Sequence, residues 1–278
     1  MATLQLEGIR DLAERFDVLV LDQFGVLHDG TTPYPGAVEA LVRLKQAGKR
    51  TLLLSNSGKR SAPNEARLAK LGFVPGSWDH FLSSGEVAWQ SLRRQLANEA
   101  GLCCLLIARD GDRSAVEGLP LTLVETGADA DIVLLSASEG DRFDLDHYRR
   151  LLQPAAARGV RCLCTNPDKI MLTPVGPRFG AGRIAELYSE LGGEVSWIGK
   201  PFPDIYAAAL DMLGAPDPAR VVCVGDSIEH DIAGGQGAGL RTALVMTGVL
   251  ETSSEAERNR LFAEHGAVPD FLVRTFAW

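Results

Sequence analysis

Residues 16–22 (FDVLVLD) form a continuous apolar run, rich in valine and leucine, that ends in an acid. Such a run without alternation predicts a short strand buried on both faces, as in a parallel sheet covered by helices. Pro35 and Gly36 then open a helix through Lys45, with Val38, Leu41 and Val42 on one face and Gly48 closing it. A second strand is predicted at 50–54. The next helix spans 61–71, with Pro63 tolerated in its first turn and Gly72 just past its end. Ahead of this βαβα opening, residues 1–15 read as an amphipathic helix.

After residue 80 the pattern restarts, with a helix at 86–98, strands at 103–107, 121–124 and 132–135, a helix at 145–157 and a strand at 160–164. From Gly182 come a helix, a short strand at 197–199, a helix at 204–213, a strand at 221–224, a helix near Ile232 and a strand at 242–245. No repeat, low-complexity tract or coiled coil interrupts this order. The pattern implies an α/β fold: a Rossmann-like parallel-sheet core with a smaller α/β domain inserted between its halves. The expected boundaries are 1–82 and 183–278 for the core and 83–182 for the insert.

Composition narrows the class. Apolar residues make up 46% of the 278 and charged residues 23%, and no apolar run reaches bilayer length, so a soluble protein without membrane partners is expected. The amino terminus lacks the basic start and apolar stretch of a secretory signal, which makes the cytoplasm the expected location. Five cysteines (Cys103, Cys104, Cys162, Cys164, Cys223) lie mostly in apolar runs and read as reduced core residues. Cys162 and Cys164 have no nearby second pair or histidine to complete a zinc site. A net charge of −8 with no basic cluster disfavours nucleic acid and leaves a small molecule as the expected partner.

In an open parallel sheet, ligands bind beyond the carboxyl ends of the strands. Four predicted strand ends carry polar residues: Asp22 in DQFGVLHDG, Ser55 and Asn56 in LLLSNS, Lys200 in IGKPFPD, and Asp226 with Asp231 in VGDSIEHD. Each alone is a weak signal: Ser55 and Asn56 also read as turn residues, Lys200 as an exposed lysine, and Asp226 and Asp231 as a helix cap and a surface acid, while an acid ending a buried strand, as Asp22 does, points to function. Together they offer carboxylates for a hard cation, with a hydroxyl, an amide and a lysine for an anion.

With these motifs in this order, the chain resembles the haloacid dehalogenase superfamily of aspartate-nucleophile hydrolases. It is most similar to the class with a large α/β cap between the second and third motifs, the p-nitrophenyl phosphatase and nucleotide monophosphatase branch. TNPD at 165–168, GAG at 180–182, GKPFPDIY at 199–206 and MTGV at 246–249 look like signatures of that class. The resemblance implies a Mg²⁺-dependent phosphoric monoester hydrolase acting on a small phosphorylated metabolite, with Asp22 attacking phosphorus to give an aspartyl-phosphate. It further implies metal binding by Asp22, the Phe24 carbonyl and Asp226. Asp231 would hold a metal-bound water or orient Lys200, and Ser55, the Asn56 backbone and Lys200 would bind the transferring group. Caps of this class often mediate dimers, so a homodimer is expected.

The first motif departs from the family pattern. Phe24 stands where phosphatases of the family carry the aspartate that protonates the leaving oxygen, a contribution of roughly 10²–10⁴-fold. His28 and Asp29 are the nearest replacements, with His28 also a candidate substrate contact. An aromatic residue here is similar to what the family's carbon–halogen hydrolases carry. A dehalogenase or phosphonatase-like hydrolase, or a catalytically weak phosphate-ligand binding protein, is therefore the alternative. Asn166 is a candidate specificity residue beside Asp168, and residues 180–182 are expected to allow close approach at a hinge back to the core.

Overall fold

The computed structural model describes residues 3–98, 101–173 and 176–278. The chain forms two compact units. The first comprises the residues up to Ser55, Glu65–Leu82 and Lys200–Trp278, and the second comprises Asn56–Asn64 and Ser83–Gly199. Among the described residues no helix is long and apolar enough to cross a membrane.

The first unit is built on a seven-stranded sheet in the order Leu4–Leu6, Phe271–Val273, Arg241–Val245, Val221–Gly225, Val18–Leu21, Arg50–Ser55, His80–Ser83. Val18–Leu21 lies inside the sheet, where Leu21 pairs in parallel with Val224 on one side and Leu53 on the other. Its four residues are at most 1% exposed, and each such side chain contributes roughly 1.5–3 kcal/mol of burial. Parallel pairing in this register brings the residues after Leu21, Gly225 and Leu54 out at one edge. Helix Ala37–Gln46 covers the sheet with Ala37, Ala40, Leu41 and Leu44, the spacing of a single helical face.

The second unit carries a five-stranded parallel sheet in the order Val195–Trp197, Arg161–Cys164, Ile132–Leu135, Leu102–Ile107, Leu121–Leu123. An antiparallel pair, Ile170–Thr173 with Gly176–Phe179, forms a separate two-stranded sheet. Helix Leu145–Ala157 begins at Asp144, whose side chain accepts the His147 N–H.

Several expectations change. The helix expected over 1–15 is confined to Ile9–Ala13 and is preceded by the strand Leu4–Leu6, while residues 1 and 2 lie outside the described residues. The first unit resumes at Lys200 rather than 183. Helix Ala181–Glu190 buries Ile184, Leu187 and Tyr188 in the second unit's core, and the Tyr188 hydroxyl donates to the Val160 carbonyl at 2.5 Å. The strand expected at 197–199 in the core is Val195–Trp197, paired with Arg161–Cys164. Residues 180–182 do allow a close approach, but within the second unit: a Cβ at Gly180 or Gly182 would sit 2.0 Å from the Asp168 carbonyl oxygen or 2.1 Å from that of Pro167.

Candidate active site

Asp22 follows the strand Val18–Leu21, and its backbone N–H still donates to the Val224 carbonyl, so the ladder itself aims the residue. Asp226 follows Val221–Gly225. Asp231 lies in the π-helical turn Ile228–Ala233, which Ser227 caps by accepting the His230 N–H. Lys200 is the exception to the strand-end expectation. It belongs to the loop that re-enters the first unit ahead of helix Pro203–Met212.

Lys200 joins these elements. Its Nζ lies 2.7 Å from Asp22 Oδ1 and 2.7 Å from Asp231 Oδ1, and the lysine is 3% exposed. Asp231 Oδ2 accepts the Ser227 N–H at 3.1 Å, so both of its oxygens are engaged and its visible role is to hold Lys200. Carboxylate oxygens of Asp22, Asp226 and Asp231 all lie within 4.8 Å of one another. Three acids around one ammonium leave unbalanced negative charge when all are ionised, and the carboxyl groups respond. Burial raises Asp22 to about 6, helped by Asp231 and opposed by Lys200. Burial, then repulsion from Asp22 and Asp231, pushes Asp226 well above the usual carboxylate range. Burial works against the Lys200 ammonium, but the two aspartates outweigh it and raise its pKa. An oxygen-only donor set with excess negative charge, drawn from Asp22, Asp226 and Asp231, could hold a hard divalent cation.

Two glycines make room for Asp226. Gly25 and Gly248 both have positive φ (88° and 66°), and a Cβ at either would fall 2.1 or 2.0 Å from Asp226 Oδ2. The same loops are tied together by the Thr247 hydroxyl, which donates to the Gly25 carbonyl at 2.5 Å, and by the Val249 N–H, which donates to Asp226 Oδ2 at 2.8 Å.

Ser55 ends its strand as expected, and sequence reasoning missed its partner. The Gln23 amide donates to Ser55 Oγ at 2.6 Å, with both residues buried. Accepting from Gln23 turns the hydroxyl proton of Ser55 away from that amide. The available signal was an amide directly after the acid that closes an apolar strand. Tyr34 was also missed: burial raises its pKa, against the nearby Gly248 backbone and with help from the charge of Asp226.

The remaining candidates fall elsewhere. His28 is 1% exposed, its Nδ1 accepts the Gly30 N–H at 2.9 Å, and its ring meets Phe24 and Phe73 edge-on at 5.8 and 6.4 Å. Burial, with help from Arg67, lowers its pKa to about 4. This ring packs and orders the loop, which is not the surroundings of an exposed substrate contact. Asp29 accepts hydrogen bonds from the backbone and hydroxyl groups of both Thr31 and Thr32, which hold its carboxyl well below the usual range. It is a turn former. Asn56 and Asn166 belong to the second unit, where the Asn56 amide donates to Asp168 Oδ1 at 2.8 Å and Asn166 Oδ1 accepts the Asp168 N–H at 3.1 Å.

A parallel sheet with acids and a buried lysine at its carboxyl edge defines an α/β enzyme site. The chain matches the model of the haloacid dehalogenase-like hydrolases over residues 19–122 and a second model of such hydrolases over residues 197–277. It is similar to chronophin from Rattus norvegicus, with 31% identity over 97% of this chain and 89% of that protein. Among solved structures it is similar to the p-nitrophenyl phosphatase from Archaeoglobus fulgidus (TM-score 0.74, 29% identity, 94% of this chain and 97% of that one). The glycerol phosphate phosphatase from Mycobacterium tuberculosis in complex with magnesium gives a TM-score of 0.74 and 27% identity over 95% of this chain and 76% of that one. The chain belongs to the haloacid dehalogenase-like hydrolases, in the branch with the large α/β insert.

Proposed function

We propose that this hydrolase is a Mg²⁺-dependent phosphoric monoester hydrolase for a small phosphorylated metabolite, working through an aspartyl-phosphate at Asp22. The observation that carries this reading is the Lys200 ammonium between Asp22 and Asp231, beside Asp226. The names of the similar proteins, phosphatases among them, and the magnesium bound to one of them support it. Asp22 would supply the attacking oxygen, while Lys200 and the Ser55 hydroxyl, oriented by Gln23, would hold the transferring group's oxygens. Mg²⁺, held by Asp22, Asp226 and the Phe24 carbonyl, would neutralise charge on that group. The second unit would act as the cap that selects the leaving group, with Asn56 and Asn166 contributing through the turn at Asp168. The five free cysteines accord with a reducing, cytoplasmic location.

The test is a panel of phosphate esters at millimolar Mg²⁺. Turnover should fall by about 10⁴-fold or more in Asp22→Asn and stop with a chelator, whereas equal rates for variant and wild type would reject the reading. Phe24 favours a second reading, a carbon–halogen hydrolase using the same nucleophile. Halide release that survives the chelator would select it.

A further inference from the structure

A phosphate ester must lose its leaving oxygen either as an anion or with a proton supplied by the protein. The first unit offers few protons. Phe24 has none, and its ring is lodged against Gly30, where a Cβ would lie 2.9 Å from Phe24 Cε2, and edge-on to His28. His28 uses Nδ1 to accept the Gly30 N–H, which leaves the proton of the neutral ring on Nε2, a buried atom without a hydrogen-bond partner. Asp29 is engaged as an acceptor by Thr31 and Thr32. Lys200 is clamped between two carboxylates, and the Gln23 amide is not an acid at neutral pH. Tyr34 is a phenol that burial makes a still weaker acid than usual.

We infer that the enzyme is selective for phosphates whose leaving group departs as a stable anion: acyl phosphates, phosphoanhydrides and acidic aryl phosphates, and not simple alkyl phosphates. The inference rests on the reading of Asp22 as phosphoryl acceptor. In the first step an Asp22 oxygen bonds to phosphorus as the bond to the leaving oxygen breaks. That oxygen keeps the electron pair and takes no proton from the protein. In the second step water attacks phosphorus, the bond to Asp22 breaks, the carboxylate is restored, and the surplus proton of water passes to solvent. The products are inorganic phosphate and the free leaving group.

A series of substituted phenyl phosphates of graded leaving-group acidity, with acetyl phosphate and glycerol 3-phosphate at its ends, tests this on the full-length enzyme with Mg²⁺. Wild-type kcat/KM, which reports the first step, should fall steeply as the leaving group becomes less acidic. Phe24→Asp should raise the rate of glycerol 3-phosphate relative to that of nitrophenyl phosphate by roughly 10²–10⁴-fold. If the variant does not fold, the wild-type slope alone decides. A flat wild-type kcat/KM profile that still requires Asp22 would overturn this inference and leave the phosphatase reading standing. Loss of glycerol 3-phosphate turnover in Tyr34→Phe, with nitrophenyl phosphate turnover intact, would overturn it in the same way by identifying a proton donor. Absence of Asp22-dependent turnover of any phosphate would remove both.

Discussion

At the carboxyl edge of the seven-stranded sheet three acids share one buried lysine, whereas the same edge of the five-stranded sheet pairs its charges more evenly. There Arg109, just after strand Leu102–Ile107, is held by both oxygens of Asp141 at 2.7 Å, and Arg142 meets Asp110 at 2.6 Å and Glu139 at 2.5 Å. Both edges come from parallel strands, so topology does not separate them. Burial and charge balance do. Lys200 is 3% exposed, while the Arg109 side chain is 29% exposed. One edge stores uncompensated charge that a cation and a reacting group can use, and the other has spent its charge on ordering loops.

Removing the cation on each side should expose this difference most strongly. Lys200→Met leaves Asp22 and Asp231 buried without their partner and should cost about 3–5 kcal/mol in denaturant unfolding. Arg109→Met, at the more exposed pair, should cost about 1 kcal/mol or less in the same measurement. Similar losses for both variants would show that the two edges are energetically alike.

Titration should give slopes of opposite sign. The folded Asp22 carboxyl, raised to about 6, binds a proton that the unfolded chain releases near its ordinary 3.8. Stability measured without Mg²⁺ should therefore fall as pH rises from about 4 to 6, by about 2–3 kcal/mol from this group. Asp22→Asn should remove this group's share of the fall and leave that of Asp226, which burial raises as well. Asp141 is lowered to about 2 by its hydrogen bonds with Arg109. Its stabilisation is present above its ordinary pKa and is lost as pH drops from about 4 towards 2, which Asp141→Asn should abolish. An effect about as small as that of Arg109→Met is expected in Asn166→Ala, which loses one side-chain bond to the Asp168 N–H. About 0.5–1.5 kcal/mol by thermal or denaturant melting is expected.

The site's central acids were legible because a buried strand that ends in a carboxylate is unusual in both composition and place. Asp22 and Asp226 needed only the strand ends to be found. Lys200 was found for the wrong geometric reason. A three-residue strand such as Val195–Trp197 has no period that says which sheet it joins, and only its pairing with Arg161–Cys164 assigns it. The edge strand Leu4–Leu6, its neighbour Phe271–Val273 and the strands of the two-stranded sheet, Ile170–Thr173 and Gly176–Phe179, were missed because each is three or four residues long. His28 looked available because a histidine in a polar-looking loop suggests solvent, and the chain does not announce that Phe24 and Phe73 enclose it. Helix Glu255–His265 was overlooked although Ser254 and Glu257 form a capping box at its start.

The assignment of Asn56–Asn64 to the second unit means that the chain passes between the two units at 55/56, 64/65, 82/83 and 199/200. The second unit is consequently no cassette. Excising 83–182 would strand the segment 56–64 away from its partners and leave Val195–Trp197 without its neighbouring strand. A transplant into another scaffold must carry two stretches of chain, Asn56–Asn64 and Ser83–Gly199, and keep their junctions in register.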